Sequence, residues 1–120
     1  MIQTHGLTHL SLSVRDPERS LAFYRELFGV REYFRDERSI QALGPGPHDV
    51  IAFERRASHG QAGGIDHFGF RLRDPADIGE AVRQARAAGA TILREGEFGP
   101  GFPFVYISDP DGYVIEIWYE

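Results

Sequence analysis

The sequence predicts an α+β fold built from two βαβββ repeats, and three observations carry that expectation. First, Gly6-Leu7-Thr8-His9-Leu10-Ser11-Leu12-Ser13-Val14-Arg15-Asp16-Pro17 aligns without gaps on Gly64-Ile65-Asp66-His67-Phe68-Gly69-Phe70-Arg71-Leu72-Arg73-Asp74-Pro75. Gly, His, Arg, Asp and Pro recur at five of the twelve positions. Second, both copies alternate apolar with polar or small residues, the period of a half-buried strand. Third, both run into Asp-Pro, with Asp placed as a helix cap and Pro at the first helical position.

The elements follow in order. From Pro17 to Phe28, residues Leu21, Tyr24, Leu27 and Phe28 recur at helical spacing, and Gly29 stands where the helix should stop. From Pro75 to Ala88 a narrower stripe of Ile78, Ala81, Val82 and Ala85 ends before Gly89. Three strands are expected after each helix. In the first half they are Val30–Arg35, Ser39–Leu43 and Asp49–Glu54; in the second, Thr91–Arg94, Pro103–Ile107 and Tyr113–Tyr119. Gly44-Pro45-Gly46-Pro47, Gly99-Pro100-Gly101 and Asp109-Pro110-Asp111-Gly112 supply the turns. Repeat 1 therefore covers about residues 5–56 and repeat 2 about 64–120, joined by the Gly-rich linker 57–64, all within a single domain, 1–120.

Composition limits the function classes. The chain is 42% hydrophobic and 26% charged, ordinary for a globular protein. Its net charge of −5, with no basic stripe, argues against a nucleic-acid partner. The absence of cysteine removes disulfides, thiolate zinc sites and Cys nucleophiles. No signal-peptide pattern or membrane-length apolar run is present, so no membrane partner and a cytoplasmic location are expected. No G-x-G-x-x-G follows a strand into a helix, and no Ser sits in a nucleophile elbow.

Strand parity supplies the candidate site. Leu10, Leu12 and Val14 should pack under the first helix, which leaves His9, Ser11 and Ser13 on the opposite face. In the repeat, Phe68, Phe70 and Leu72 leave His67, Gly69 and Arg71 opposite. On the last strand Glu116 and Trp118 share that open face, and its first-half counterpart presents Ala52. If the open faces of the two halves share a cleft, positions 9, 52, 67 and 116 are symmetry-related and hold His, Ala, His and Glu. A lone His on a polar strand face is more often solvated than ligating. Two imidazoles and one carboxylate together suit a divalent metal and leave coordination positions open for catalysis.

GLTHLSLSVRDPERSLAFYRELFG, GIDHFGFRLRDPADIGEAV and VYISDPDGYVIEIW resemble the glyoxalase / bleomycin-resistance / extradiol-dioxygenase superfamily, the vicinal oxygen chelate proteins, over nearly the whole chain. The resemblance implies paired βαβββ modules and a small-molecule substrate bound through adjacent oxygens. It also implies one divalent metal ion on His9, His67 and Glu116; Fe2+ or Mn2+ is favoured, and Zn2+, Ni2+ or Co2+ is compatible. Ala52 departs from the glyoxalase pattern, which often has Glu there, and points toward two-His-one-Glu sites. Extradiol-type oxygen insertion is the first expectation, although residues 97–101 lack a His that many such enzymes carry. A redox-neutral glyoxalase-like lyase or isomerase, or a fosfomycin-type transferase, is the alternative. A metal-free drug- or metabolite-binding protein is the rival of a different class. His48 and Tyr106 are the acid/base and hydrogen-bonding candidates, and Arg71, Phe104 and Trp118 the substrate-contacting ones. A homodimer is the expected assembly. His5 and His59 are given no role.

Overall fold

The computed structural model describes Met1, Gln3 and residues 5–120. The chain divides into two compact units, Met1–Gly60 and Gln61–Glu120, with the boundary inside the expected linker. The first contains β1 (His9–Val14), α1 (Pro17–Phe28), β2 (Arg31–Arg35), β3 (Ser39–Leu43) and β4 (Val50–Arg55). The second contains β5 (Phe68–Arg71), α2 (Ile78–Ala87), β6 (Thr91–Glu97), β7 (Pro103–Ser108) and β8 (Val114–Trp118). Sheet orders are β1-β4-β3-β2 and β5-β8-β7-β6. In each sheet the first strand runs parallel to the last, and the other pairs are antiparallel. Both repeats are therefore βαβββ.

Local chemistry explains α1. The Glu18 amide donates to the Asp16 carboxylate at 3.0 Å, which satisfies one of the free amides at the helix start. Pro17 follows at the first position, and Gly29 closes the helix in the left-handed region at φ 69°. The helix buries Leu21, Phe23 and Tyr24, and the Tyr24 ring centre lies 5.0 Å from that of Phe53 on β4. Tyr24 and Phe53 are fully buried, each contributing about 1.5–3 kcal/mol by leaving water. Phe23 lies outside the expected stripe but is buried too.

The second helix departs from expectation at its start. Asp74 caps the Ala76 amide as expected, but Pro75–Asp77 winds as a 3-10 turn before α2 begins at Ile78. The tighter turn is closed by the Asp77 amide on the Asp74 carbonyl, an i→i+3 bond common at helix ends. Only Ala85 of α2 is fully buried.

Both sheets carry a bulge in the strand after the helix, at Tyr33 between Glu32 and Phe34, and at Leu93 between Ile92 and Arg94. An extra residue on one strand reverses the inside/outside alternation beyond it. β6 also extends to Glu97, three residues past its expected end, because its pairing with β7 continues to Pro103.

Candidate metal centre on the second sheet

Cross-strand register assembles the site. Gly69 on β5, Glu116 on β8, Tyr106 on β7 and Arg94 on β6 are successive partners across the sheet. Arg71, Trp118, Phe104 and Gly96 form the next row along. Directly paired residues share a face, so both rows lie on one side of the sheet. Two glycines leave room for aromatic rings there. A Cβ on Gly69 would come within 3.1 Å of the Trp118 Nε1, and one on Gly96 within 2.8 Å of the Phe104 ring.

A turn brings Glu116 into register. The Asp109 carboxylate accepts from the amides of Asp111 and Tyr113, each at 2.9 Å, and the Gly112 amide donates to the Asp109 carbonyl at 3.0 Å. Asp109 is buried, and Gly112 takes φ 93°. Side-chain-to-amide bonds of this kind fix a turn more tightly than loop composition alone. The strand that follows carries Glu116 at its third residue.

His67 Nε2 lies 3.2 Å from Glu116 Oε2, and its other ring nitrogen, Nδ1, lies 2.6 Å from Asp66 Oδ2. A neutral ring that donates from Nδ1 to Asp66 would present the Nε2 lone pair to the Glu116 carboxylate. Two electron-rich atoms so placed need a proton or a cation between or beside them. Glu116 is 8% exposed, and its Oε1 is buried with no hydrogen-bond partner among the described residues. A buried carboxylate oxygen without a donor is costly and suits a cation. An imidazole with its far nitrogen on a carboxylate is the usual support of a metal-ligating His. These residues fit a divalent metal.

Tyr106 packs edge-on against His67, with ring centres 5.1 Å apart. Burial, then its hydrogen bond and the negative charge of Glu116, raise the Tyr106 phenol above its ordinary value, so it stays an O–H donor. Phe104 is buried and stacked on Phe98 with centres 4.4 Å apart; the ring that reaches solvent is Phe98, 61% exposed. Trp118 lies under the Arg71 guanidinium, 5.6 Å from its centroid, and Arg71 donates to the Glu120 carbonyl.

Of the residues singled out in the sequence, the structure brings His67, Glu116 and Tyr106 together, with Phe104 beside Tyr106 and with Arg71 and Trp118 in the adjoining row. His9 opens β1 in the first unit, opposite Val50, and is exposed. His48 lies in the turn before β4, exposed and stacked on His5 at 4.3 Å. Among the described residues no three His, Asp or Glu side chains form a ready metal cage. Ala52 pairs with Ser11 and Gln41 and is 1% exposed. Parity reasoning missed Asp66 and Arg94. The signal for Asp66 was an acid next to His67; Arg94 had none, because the bulge at Leu93 is what turns it to this face.

The two βαβββ repeats define an α+β fold, and the second carries an imidazole–carboxylate pair on one sheet face. The chain belongs to the Glyoxalase/Bleomycin resistance protein/Dioxygenase superfamily, whose description matches residues 6–117. A manganese-dependent 2,3-dihydroxybiphenyl 1,2-dioxygenase from Geobacillus genomosp. 3 is 26% identical over 93% of this chain and 36% of its own. A putative lactoylglutathione lyase from Brassica oleracea var. gemmifera is 31% identical over 91% of this chain and 42% of its own. The chain thus spans less than half the length of either relative. The fosfomycin resistance protein FosX from Listeria monocytogenes shares the fold, with a TM-score of 0.84 at 21% identity over 98% of this chain and 95% of its own. Both curated relatives are named as enzymes, and one of them as manganese-dependent. No helix among the described residues is long and apolar enough to cross a membrane.

Proposed function

We propose that the chain is a divalent-metal-dependent enzyme whose ion is held by His67 and Glu116 and completed by His9. The observation that carries this reading is the buried Oε1 of Glu116, which lacks a hydrogen-bond partner among the described residues while Oε2 faces His67 Nε2 at 3.2 Å. His9 is assigned on chemistry and repeat symmetry rather than on its placement. When bound, the ion would act as a Lewis acid that orients and polarises adjacent oxygens of a small substrate.

The protein's own residues do the rest. Asp66 holds the His67 ring in one orientation and tautomer. Tyr106, kept protonated, donates to Glu116 or to a substrate oxygen at the same place. Phe98 and Trp118 offer ring faces for an apolar or aromatic substrate. Extradiol-type oxygen insertion on a dihydroxylated aromatic, with Mn2+ or Fe2+, is the specific reaction we favour. The aromatic surroundings of Tyr106 and the manganese-dependent dioxygenase relative support it. His48 is the acid/base candidate from the first unit. A homodimer, with Trp118 and Tyr119 at the interface, completes the reading; the mass by light scattering checks it.

The test is elemental analysis and manganese titration of untagged protein, followed by oxygen consumption with a panel of catechols. About one metal per chain and catechol-dependent oxygen uptake are expected. Metal without oxygen uptake moves the reaction to a redox-neutral lyase or transferase. No metal, with a small molecule still bound, replaces the enzyme by a binding protein.

A further inference from the structure

We propose that Arg94 is a specificity residue that selects substrates carrying an anionic group; this rests on the site reading above. Arg94 pairs directly with Tyr106, which pairs with Glu116, so the three share one row and one face of the sheet. The bulge at Leu93 puts it there: without the extra residue, position 94 would face the other way. Its guanidinium lies over the Phe104 ring, 5.4 Å from the centroid. One face of the guanidinium is thereby held on an aromatic surface while its in-plane N–H donors stay free to point outward.

Three other arginines of the chain are engaged by acceptors. Arg35 is engaged by Glu18 and Glu32, Arg83 by Glu80, and Arg71 by the Glu120 carbonyl and Trp118. The Arg94 guanidinium makes no ion pair or hydrogen bond among the described residues, only its contact with the Phe104 ring. A fixed cation with free donors, beside a phenol and facing an aromatic wall, recognises a carboxylate or a similar oxyanion in two-pronged fashion. Arg94 and Glu116 are two strands apart, roughly 10 Å between backbones. One substituted ring spans that gap once the two side chains reach toward it. The chain's net charge of −5 disfavours anions in general, so any preference for one must come from a local cation.

The test compares two probes of similar size, 3,4-dihydroxyphenylacetate and neutral 4-ethylcatechol. Calorimetry measures both on manganese-loaded and on chelator-treated protein, for wild type, Arg94→Gln and Arg94→Lys. Wild type should bind the anion about tenfold tighter than the neutral probe. Arg94→Gln should abolish that ratio and leave the neutral probe's affinity unchanged, and Arg94→Lys should keep part of it. Near-ultraviolet circular dichroism checks that the exposed substitution leaves the fold intact. A wild-type ratio near one, failure of both probes to bind, or an unchanged ratio in Arg94→Gln overturns the proposal. If manganese fails to bind while the ratio still collapses in Arg94→Gln, the metal reading falls and Arg94 stands.

Discussion

Corresponding positions in the two repeats carry different chemistry. In the first, α1 drives Leu21, Phe23 and Tyr24 into the core, while the cross-strand row Ser11, Ala52 and Gln41 is neutral. In the second, α2 fully buries only Ala85, and the matching row Gly69, Glu116 and Tyr106 continues to the cation Arg94. The same backbone plan thus supports an apolar core in both copies, with more of the helix buried in the first, and a polar, partly desolvated cluster on the second sheet. A duplicated unit has two equivalent open faces, and a buried carboxylate is tolerable on one of them only where partners meet it. Glu116 has His67 and Tyr106; Ala52 has a serine and an amide beside it.

The largest expected effect probes the two helices. Tyr24→Ala should cost about 3–5 kcal/mol, because a fully buried ring packed on Phe53 leaves a cavity. Val82→Ala, at the corresponding position of the half-buried α2, should cost about 1 kcal/mol. Urea denaturation of the two variants measures both, and equal losses would erase the asymmetry of the cores.

Glu116→Ala should abolish manganese binding, since it removes the proposed anionic ligand, and Asp66→Asn should weaken it about tenfold by freeing the His67 ring. The first half provides the comparison. Ala52→Glu gains Ser11 and Gln41 as hydrogen-bond partners, whereas Ile51→Glu buries its charge among apolar groups under α1. Thermal melts should show Ile51→Glu far more damaged than Ala52→Glu. Equal unfolding would break the correspondence between positions 52 and 116.

Asp109→Ala should cost about 1–3 kcal/mol, because two backbone amides lose a buried acceptor. Asp49→Ala, before β4, removes a single exposed bond to the Gly46 amide and should change stability by less than about 1 kcal/mol. The difference in melting temperature between the two variants measures how much more tightly the second repeat fixes its last strand.

The repeat, the capping aspartates and turn formers such as Gly29, Gly101 and Gly112 were legible because each rests on local chemistry: a carboxylate near free amides, a ring-locked φ, a glycine where the backbone turns left-handed. Alternation along β8 decides which face Glu116 takes, whereas Tyr106 was singled out by the family resemblance and His67 by its repeat position just before β5. The bulges at Tyr33 and Leu93 were not legible, because one inserted residue leaves no mark in composition and changes parity only by pairing with a neighbour. Arg94 was hidden by that. The burial of Phe104 was hidden differently: it depends on Gly96 across the strand and Phe98 beyond it, a tertiary arrangement that alternation does not encode.

The smallest effect concerns the hairpins. The β2–β3 turn is held by the Asp36 carboxylate, which accepts from the amides of Arg38 and Ser39, each at 2.8 Å. Those two bonds hold its pKa below the ordinary carboxylate value, with the Ser39 hydroxyl and the Arg38 charge adding to the shift. The β6–β7 turn uses Gly99 and Gly101 instead, with Gly101 at φ 83° and the Phe102 amide donating to the Gly99 carbonyl. A carboxylate whose folded value is depressed stabilises the native state above its unfolded value, and that stability is lost as pH falls through the folded value. Asp36→Asn should therefore lower the melting temperature slightly at neutral pH, and the gap to wild type should close on acidification below the carboxylate range. Amide exchange should locate the change at Arg38 and Ser39 and leave Phe102 unaffected. A gap that persists in acid would mean the turn is held by its backbone, as its counterpart in the second repeat is, and the two hairpins would then differ in sequence but not in mechanism.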